Sequence, residues 1–155
     1  MSTRAIAWLR KRKIDFRVVT YEHQAKGAAY AAQANGFSLT RTIKTLVVDL
    51  SGNSFGLAHM PGDRELSLKK FAHALGVKKA VLADVPVAER LTGYHVGGIS
   101  PFGIRQRLPV IMEKSLLAHH QVMINGGQRG VLLRMAPGDI VTGLNCRAAD
   151  LVAEA

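Results

Sequence analysis

The stretch Ile43-Lys-Thr-Leu-Val-Val-Asp-Leu50, the turn Ser51-Gly-Asn53 and the stretch Ser54-Phe-Gly-Leu-Ala-His-Met60 decide how the fold is organised. Each apolar stretch has the length and many of the branched side chains of a β-strand. The residues between them favour a tight turn, because glycine and asparagine adopt positive φ angles readily. The sequence therefore predicts a hairpin near the middle of the chain, and the other elements are placed around it.

Lys44 is unusual in the first strand of this hairpin. Because side chains alternate along a strand, Lys44 shares a face with Leu46 and Val48. An ammonium group on an apolar face is costly unless it has a partner or a cavity. Either the side chain reaches solvent at the end of the strand, or Lys44 belongs to a functional site. We favour the functional interpretation.

Helices and further strands flank the hairpin, without the strand–helix–strand order of a doubly wound sheet. Ser2, Ser67 and Asp84 are residue types that cap helices. Strands are predicted over 16–20, 79–83, 109–112, 121–125 and 131–135, and helices over 28–35, 68–75, 84–91 and 137–144, with another helical turn within 147–153. We predict an α+β fold, in which helices surround a strongly curved, mixed and largely antiparallel sheet, and a single domain over residues 1–155.

The composition excludes several classes of protein. With one cysteine, Cys146, the chain has no internal disulfide and no zinc site built from several cysteines. No apolar run approaches the roughly 18 residues that a membrane span needs, and we expect a cytoplasmic protein. Lysine and arginine exceed aspartate and glutamate by 10 charges, which favours a polyanionic partner such as nucleic acid over mere solubility. Aromatic residues make up only 6%, which disfavours a platform of stacked bases.

The sequence has no pattern typical of a metal or cofactor site. None of its six histidines forms a helical HExxH pair or a close ligand set with cysteine. A phosphate-binding Walker loop and a GxSxG nucleophile elbow are also missing from the sequence. We therefore expect no metal and no cofactor, and we interpret Cys146 as a small core residue rather than a nucleophile.

Two glycine-rich segments are candidates for a site. Gly93-Tyr-His-Val-Gly-Gly-Ile-Ser-Pro-Phe-Gly103, called here the glycine-rich loop, either lets backbone amides converge on an anion or ester carbonyl or is a long connecting turn. Asn125-Gly-Gly-Gln-Arg-Gly130 lies between two predicted strands and indicates a hairpin turn. From that turn, Arg129 could reach a phosphate or a substrate carboxylate.

Four motifs in this order carry a family resemblance: Ile43-Lys-Thr-Leu46, Thr92-Gly-Tyr94 with residues 96–103, Asn125 to Gly130, and Ala136-Pro137 with Asp139. The chain resembles the YbaK/EbsC family of free-standing aminoacyl-tRNA editing proteins, especially its Cys-tRNA(Pro) deacylases. It is similar more distantly to the editing domain inserted in bacterial prolyl-tRNA synthetases. The resemblance implies a barrel-like sheet wrapped by helices and the hydrolysis of an ester that joins a wrong amino acid to tRNA.

The resemblance also implies a set of site residues. Lys44 corresponds to the family's essential lysine, Asp139 to its pocket aspartate and Tyr21 to a pocket tyrosine. The family's GxxxP loop falls on Gly97, Gly98, Ile99, Ser100 and Pro101, and the substrate site extends to Asn125 and Gly126. Asn125 stands where a serine often precedes the paired glycines.

The residues of this site predict that the ester is cleaved without a nucleophile from the protein. The amides of Gly97 and Gly98 are predicted to stabilise the oxyanion, and Lys44 to hold the ribose or phosphate of the terminal adenosine. The resemblance implies that a substrate thiol or ribose hydroxyl assists cleavage. We predict that tRNA, with tRNA(Pro) first, contacts Lys69, Lys70, Lys78, Lys79, Arg105 and Arg107.

Alternatives to a deacylase for Cys-tRNA(Pro) remain open. One is a deacylase for another aminoacyl group, such as alanine. Another is an RNA-binding module of the same fold without turnover. The sequence also leaves open whether prolyl-tRNA synthetase is a partner.

Overall fold

The structure, a computed structural model, describes residues 2–21 and 36–154, so the predicted helix over 28–35 lies outside the described residues. Four α-helices are present in the described chain: α1 (Arg4–Lys11), α2 (Leu68–Leu75), α3 (Val85–Thr92) and α4 (Pro137–Leu144). Ser67 and Asp84 cap α2 and α3 as predicted. The first helix is capped by Thr3 rather than by Ser2, because the Thr3 hydroxyl accepts the Ile6 amide.

Eight strands of the described chain form two sheets rather than one. They are β1 (Arg17–Thr20), β2 (Ile43–Asp49), β3 (Phe55–Pro61), β4 (Val81–Leu82), β5 (Val110–Glu113), β6 (Val122–Gln128), β7 (Val131–Met135) and β8 (Arg147–Ala149). The smaller sheet, in the order β1-β7-β6, is antiparallel. The larger, in the order β4-β2-β3-β5-β8, is antiparallel up to β3 and parallel from there.

The central hairpin forms as the sequence predicts. Strands β2 and β3 pair from Ile43 opposite Pro61 to Asp49 opposite Phe55. Ile43 and Val47 pack into the larger core cluster together with residues of α1, while Val48 belongs to a second cluster beside α2. The hairpin therefore has a core on each face, which explains why its apolar stretches are nearly continuous.

The α+β class is confirmed, and two further local predictions are wrong. The strand predicted over 79–83 is only two residues long, because it pairs with just Val48 and Asp49 at the end of β2. The segment predicted as a helical turn within 147–153 begins with strand β8, which pairs in parallel with β5. Among the described residues, a parallel bridge between Thr42 and Met123 joins the two sheets, so β2 runs beside β6. None of the described helices has the length and apolarity that crossing a bilayer demands.

Candidate functional site

A cavity of about 270 Å³ opens between the two sheets, and we call it the β2 cavity. Strand β2 forms one wall, the glycine-rich loop and β6 form another, and the start of α3 forms the rim. The lining residues are Tyr21, Thr42, Ile43, Lys44, Thr45, Leu46, Val47, Leu82, Ala83, Val85, Ala88, Val96, Gly97, Ile99, Asn125 and Leu132. The cavity thus brings together five of the predicted site residues, namely Tyr21, Lys44, Gly97, Ile99 and Asn125.

Lys44 lies at the wall of this cavity and keeps contact with solvent. Its side chain is 25% exposed, and its Nζ is 3.9 Å from an oxygen of Glu65, whose side chain is 90% exposed. So long and exposed an ion pair contributes little stability. The ammonium group is therefore available to an anionic or hydroxylated ligand in the cavity.

The glycine-rich loop is fastened to the β6–β7 hairpin by two side chains. Asn125 Nδ2 donates to the carbonyl oxygen of Gly97 at 3.1 Å, and Arg129 Nη2 donates to that of Val96 at 3.3 Å. Asn125 Oδ1 also accepts the Gly127 amide at 2.7 Å, so both ends of this side chain are engaged. These bonds fix the backbone of the loop where it lines the cavity.

Gly98 has a different role from the one predicted. Its amide donates to the carbonyl oxygen of His95 at 2.8 Å, which closes a turn within the loop, so this amide is not free to stabilise an oxyanion. A Cβ at Gly98 would lie 2.9 Å from the backbone nitrogen of Arg129 and 3.0 Å from backbone atoms of Gln128. Glycine is required here because the loop packs directly on the hairpin backbone.

Four other predicted residues lie outside the lining of the β2 cavity. Ser100 is fully buried, and its hydroxyl accepts the Phe102 amide at 3.3 Å. Pro101 lines a separate cavity beside Trp8. The carbonyl oxygen of Gly126 accepts a hydrogen bond from Thr3, and Asp139 is exposed in the first turn of α4.

Tyr21 reaches the cavity from the end of β1. Its amide donates to the carbonyl oxygen of Gly130 at 3.0 Å, which continues the pairing of β1 with β7. Its half-buried ring packs beside Phe37, Met123 and Leu132. Tyr21 and Lys44 thus line the same cavity.

Sequence reasoning missed a polar residue and an apolar rim of the cavity. The Thr45 hydroxyl is buried and has no hydrogen-bond partner within the described chain. At the rim, Leu82 and Val85 are 54% and 53% exposed. Thr45 follows Lys44 directly, and alternation along the strand puts it on the face opposite to Lys44, so no signal in the sequence pointed to the cavity.

The predicted tRNA-contacting cations are mostly free at the surface. Lys69, Lys78 and Lys79 are exposed around a shallow groove beside α2, while Arg105 and Arg107 are exposed after the glycine-rich loop. Lys70 differs, because its ammonium group binds Asp150 at 2.9 Å and Glu154 at 3.3 Å, together with the carbonyl oxygen of Val152. The hydrogen bond with Asp150 is the main reason that the pKa of Lys70 is raised. The structure thus assigns Lys70 to fastening the end of the described chain rather than to binding a ligand.

Cys146 lies away from the β2 cavity. Its side chain is buried, and burial raises the pKa of the thiol to about 11. A thiol with this pKa is protonated near neutral pH and is a poor nucleophile. In the part of the chain that is described, three or more histidine, cysteine, aspartate or glutamate residues nowhere gather as metal ligands would.

Residues 22–142 match the family described as an aminoacyl-tRNA editing domain. A protein of Enterococcus faecalis, provisionally named Cys-tRNA(Pro)/Cys-tRNA(Cys) deacylase EbsC, is 29% identical over 153 residues, covering 96% of this chain and 92% of that protein. The Escherichia coli protein named multifunctional Ser/Thr-tRNA deacylase ProXp-y is 31% identical over 139 residues, covering 86% of this chain and 83% of that protein.

One solved structure resembles this chain over nearly its whole length. A protein described provisionally as a trans-editing enzyme for prolyl-tRNA synthetase has a TM-score of 0.89 and 26% sequence identity, and the match covers 99% of both chains. The resemblance predicted from the four motifs is thereby confirmed, as is the helix-wrapped α+β fold that it implied.

Proposed function

Because this chain belongs to the aminoacyl-tRNA editing family and is an enzyme of the tRNA-deacylase class, we propose that it edits mischarged tRNA in trans, in the cytoplasm, with Cys-tRNA(Pro) as its principal substrate. The whole of residues 1–155 is proposed to be one editing domain. The observation that carries the proposal is that Lys44, Tyr21 and Gly97 line one small cavity, the β2 cavity.

The cavity offers what ester hydrolysis requires. An aminoacyl ester is already activated, so the enzyme has to orient it and stabilise the charge that develops on its carbonyl oxygen. Gly97 lines the cavity, and its amide has no acceptor within the described chain. Lys44, at the same wall, is proposed to bind the ribose or the phosphate of the terminal adenosine.

The attacking group is proposed to come from water or from the substrate. Cys146 is buried away from the cavity with a raised thiol pKa, so it is not a suitable nucleophile. In the proposed reaction the attacking oxygen or sulfur forms a bond to the ester carbon. The bond from that carbon to the ribose oxygen then breaks, and the ribose hydroxyl is restored by the proton of the attacking group. When the thiol of the aminoacyl group attacks, the product is a cyclic thioester, and water then cleaves its carbon–sulfur bond, which gives the free amino acid and restores the thiol.

The cavity wall favours a small polar side chain on the substrate. The buried Thr45 hydroxyl has no partner among the described residues, and a thiol or hydroxyl of the aminoacyl group could supply one. An alanyl group could not, so it would leave this hydroxyl unsatisfied. The relatives named for cysteinyl, seryl and threonyl substrates agree with this preference. Ser-tRNA and Thr-tRNA are therefore the second candidate substrates.

The surface charge supports binding of the tRNA itself. The chain carries a net charge of +10, and the exposed cations proposed to contact the phosphates are Lys69, Lys78, Lys79, Arg105 and Arg107. Such contacts add affinity by releasing counterions but do not discriminate among tRNAs. We therefore propose tRNA(Pro) as the main tRNA and prolyl-tRNA synthetase as a partner that supplies specificity.

A deacylation panel tests this function. Purified Cys-tRNA(Pro), Ala-tRNA(Pro), Ser-tRNA and Thr-tRNA are incubated with the protein, and the charged fraction is followed over time with and without prolyl-tRNA synthetase. We expect rapid loss of the cysteinyl ester, slower loss of the seryl and threonyl esters, and little loss of the alanyl ester. Binding to tRNA without hydrolysis of any ester would identify a binding module instead.

A further inference from the structure

We propose that Arg129 and Asn125 act as a clamp that aims the Gly97 amide into the β2 cavity, which makes Arg129 a positioning residue for ester cleavage. This proposal rests on the proposed deacylase function and deepens it. The clamp consists of the two hydrogen bonds from the β6–β7 hairpin to consecutive carbonyl oxygens, those of Val96 and Gly97.

The direction of the Gly97 amide follows from the geometry of a peptide bond. In a trans peptide the carbonyl oxygen and the amide hydrogen point in opposite directions, and the described chain contains no cis peptide. The carbonyl of the Val96–Gly97 peptide points to Arg129 on the hairpin. Its amide hydrogen, which belongs to Gly97, therefore points away from the hairpin. In the proposed arrangement a substrate carbonyl lies on that side, since Val96 and Gly97 both line the β2 cavity.

The neighbouring peptide does not offer a second donor. Asn125 holds the Gly97 carbonyl oxygen, but the amide of the same peptide, on Gly98, is engaged by His95 within the loop. Asn125 thus restrains the loop without freeing a second donor. The clamp leaves the Gly97 amide as a donor that is both fixed and unengaged within the described chain.

The charge of Arg129 strengthens this arrangement. Its Nε is buried without a hydrogen-bond partner, and none of the ion pairs among described residues includes Arg129. The positive charge is therefore not neutralised by a nearby carboxylate. A charged donor on the Val96 carbonyl polarises that peptide, so its amide hydrogen becomes a stronger donor towards a developing oxyanion.

Gly97 fits the clamp because it has no side chain. A Cβ at this position would lie 2.8 Å from Arg129 Nε, and the backbone has a φ of +96°. The positive φ favours glycine, and an added Cβ would displace the guanidinium from its place beside the loop. The guanidinium therefore occupies the space that any other residue at 97 would need, and the close approach of loop and clamp is built into this sequence.

Steady-state kinetics of Arg129 variants test the clamp. Using the best ester from the panel, kcat and KM are measured for Arg129→Met, Arg129→Gln and Arg129→Lys. Arg147→Gln is the matched control, because Arg147 also donates to a backbone carbonyl oxygen, that of Ala74, but far from the cavity lining. Affinity for a non-hydrolysable aminoacyl-adenosine amide is measured in parallel, and thermal unfolding shows that each variant is folded.

The clamp predicts a loss in kcat rather than in binding. We expect Arg129→Met to lower kcat about 10- to 100-fold, with KM and analogue affinity changed less than about twofold. This loss is smaller than the roughly 100- to 1000-fold that removal of an oxyanion donor costs, because the Gly97 amide is displaced rather than removed. Gln, which keeps a donor, and Lys, which keeps the charge, should each recover part of the rate. If Arg129→Met does not fold, the Gln and Lys variants carry the same test.

Two results would overturn the clamp. One is a kcat for Arg129→Met within about twofold of wild type. The other is a rise in KM with unchanged kcat, which would show that Arg129 binds a phosphate. Both presuppose an active wild-type protein, so they are distinct from the result that overturns the proposed function, namely a wild-type protein that hydrolyses none of the esters.

Discussion

Thr45 and His59 are direct partners across the β2–β3 hairpin, and within the described chain neither the Thr45 hydroxyl nor either nitrogen of His59 has a hydrogen-bond partner. Thr45 lines the β2 cavity, whereas His59 is completely buried. Burial lowers the pKa of His59 to about 3, because a charged imidazole would lose its hydration there. The imidazole is therefore neutral near neutral pH in the folded protein. It lies in the protein interior, directly across the hairpin from a residue of the cavity wall.

The first prediction is that stability falls in mild acid because of His59. In the unfolded chain the imidazole binds a proton below about pH 6.5, but in the folded chain only near pH 3. The neutral ring therefore makes its full contribution to the free energy of unfolding above pH 6.5, and this contribution is lost as the pH falls from 6.5 towards 3. The loss should approach about 1.4 kcal/mol per pH unit, measured as the free energy of unfolding in urea.

The matched controls for this prediction are two substitutions. His59→Met removes the titrating group with a side chain suited to a core, so it should flatten the pH dependence. His73→Gln should leave it unchanged, because His73 is exposed on α2. Equal acid sensitivity of wild type and His59→Met would show that other groups cause the loss.

The second prediction is that Lys44→Ala removes most of the deacylation while the protein stays folded. Lys44 lines the cavity with a weakly paired and partly solvated ammonium group, so its loss costs little stability. Lys44→Arg should not restore the rate, because the planar guanidinium needs a different geometry. Initial rates at saturating substrate, together with the unfolding temperature, provide the measurement.

Glu65→Gln is the control for Lys44. The Glu65 carboxylate is 3.9 Å from the ammonium group and almost fully exposed, so we expect its neutralisation to change the rate less than about twofold. A Lys44→Ala variant that turns over at the wild-type rate would remove this lysine from the site. A large effect of Glu65→Gln would show that the ion pair itself is required.

The third prediction concerns glycine packing. Gly98→Ala places a Cβ 2.9 Å from the hairpin backbone, where no flexible side chain can yield, so we expect a loss of about 1–3 kcal/mol in unfolding free energy. Gly138→Ala is the control, because nothing lies within 4 Å of its added Cβ and it sits in the first turn of α4. That change should be neutral or stabilising by up to about 1 kcal/mol. Equal stability of the two variants would contradict the packing role of Gly98.

Much of the fold could be predicted from local signals. The β2–β3 hairpin is specified by its turn residues, and Ser67 with Gly76 delimits α2 through a side-chain cap and a left-handed terminus. The division into two sheets could not be predicted, since it depends on which distant strands pair. The same reason applies to Arg147–Ala149, which becomes a strand only because β5 offers a parallel edge.

The site shows a similar limit. Motif spacing indicated Lys44 and the glycine-rich loop, and the structure places Lys44 and Gly97 in one cavity. Motif spacing could not reveal that the Gly98 amide donates a hydrogen bond to the carbonyl oxygen of His95 within the loop, because the direction of each peptide depends on tertiary contacts. Nor could it distinguish Lys70, which is held by Asp150 from 80 residues away, from its exposed neighbour Lys69.

The last prediction separates these lysines through salt. Each phosphate contact that is lost should reduce the slope of log(kcat/KM) against log salt concentration by roughly 0.7–0.9. The double substitution Lys78→Gln with Lys79→Gln removes two exposed cations, so it should lower kcat/KM in low salt and flatten this slope. At saturating tRNA the kcat should change little when chemistry limits the rate, because these side chains lie outside the lining of the β2 cavity.

Lys70→Gln is the matched control, and it should behave in the opposite way. Its ammonium group is held by Asp150, Glu154 and the Val152 carbonyl, so the salt slope should stay at the wild-type value while the unfolding temperature falls. Rates measured between about 50 and 200 mM salt with the ester cleaved best would show both effects. A flattened slope for Lys70→Gln would mean that tRNA displaces the carboxylates, and an unchanged slope for the double variant would place the tRNA on another face of the protein.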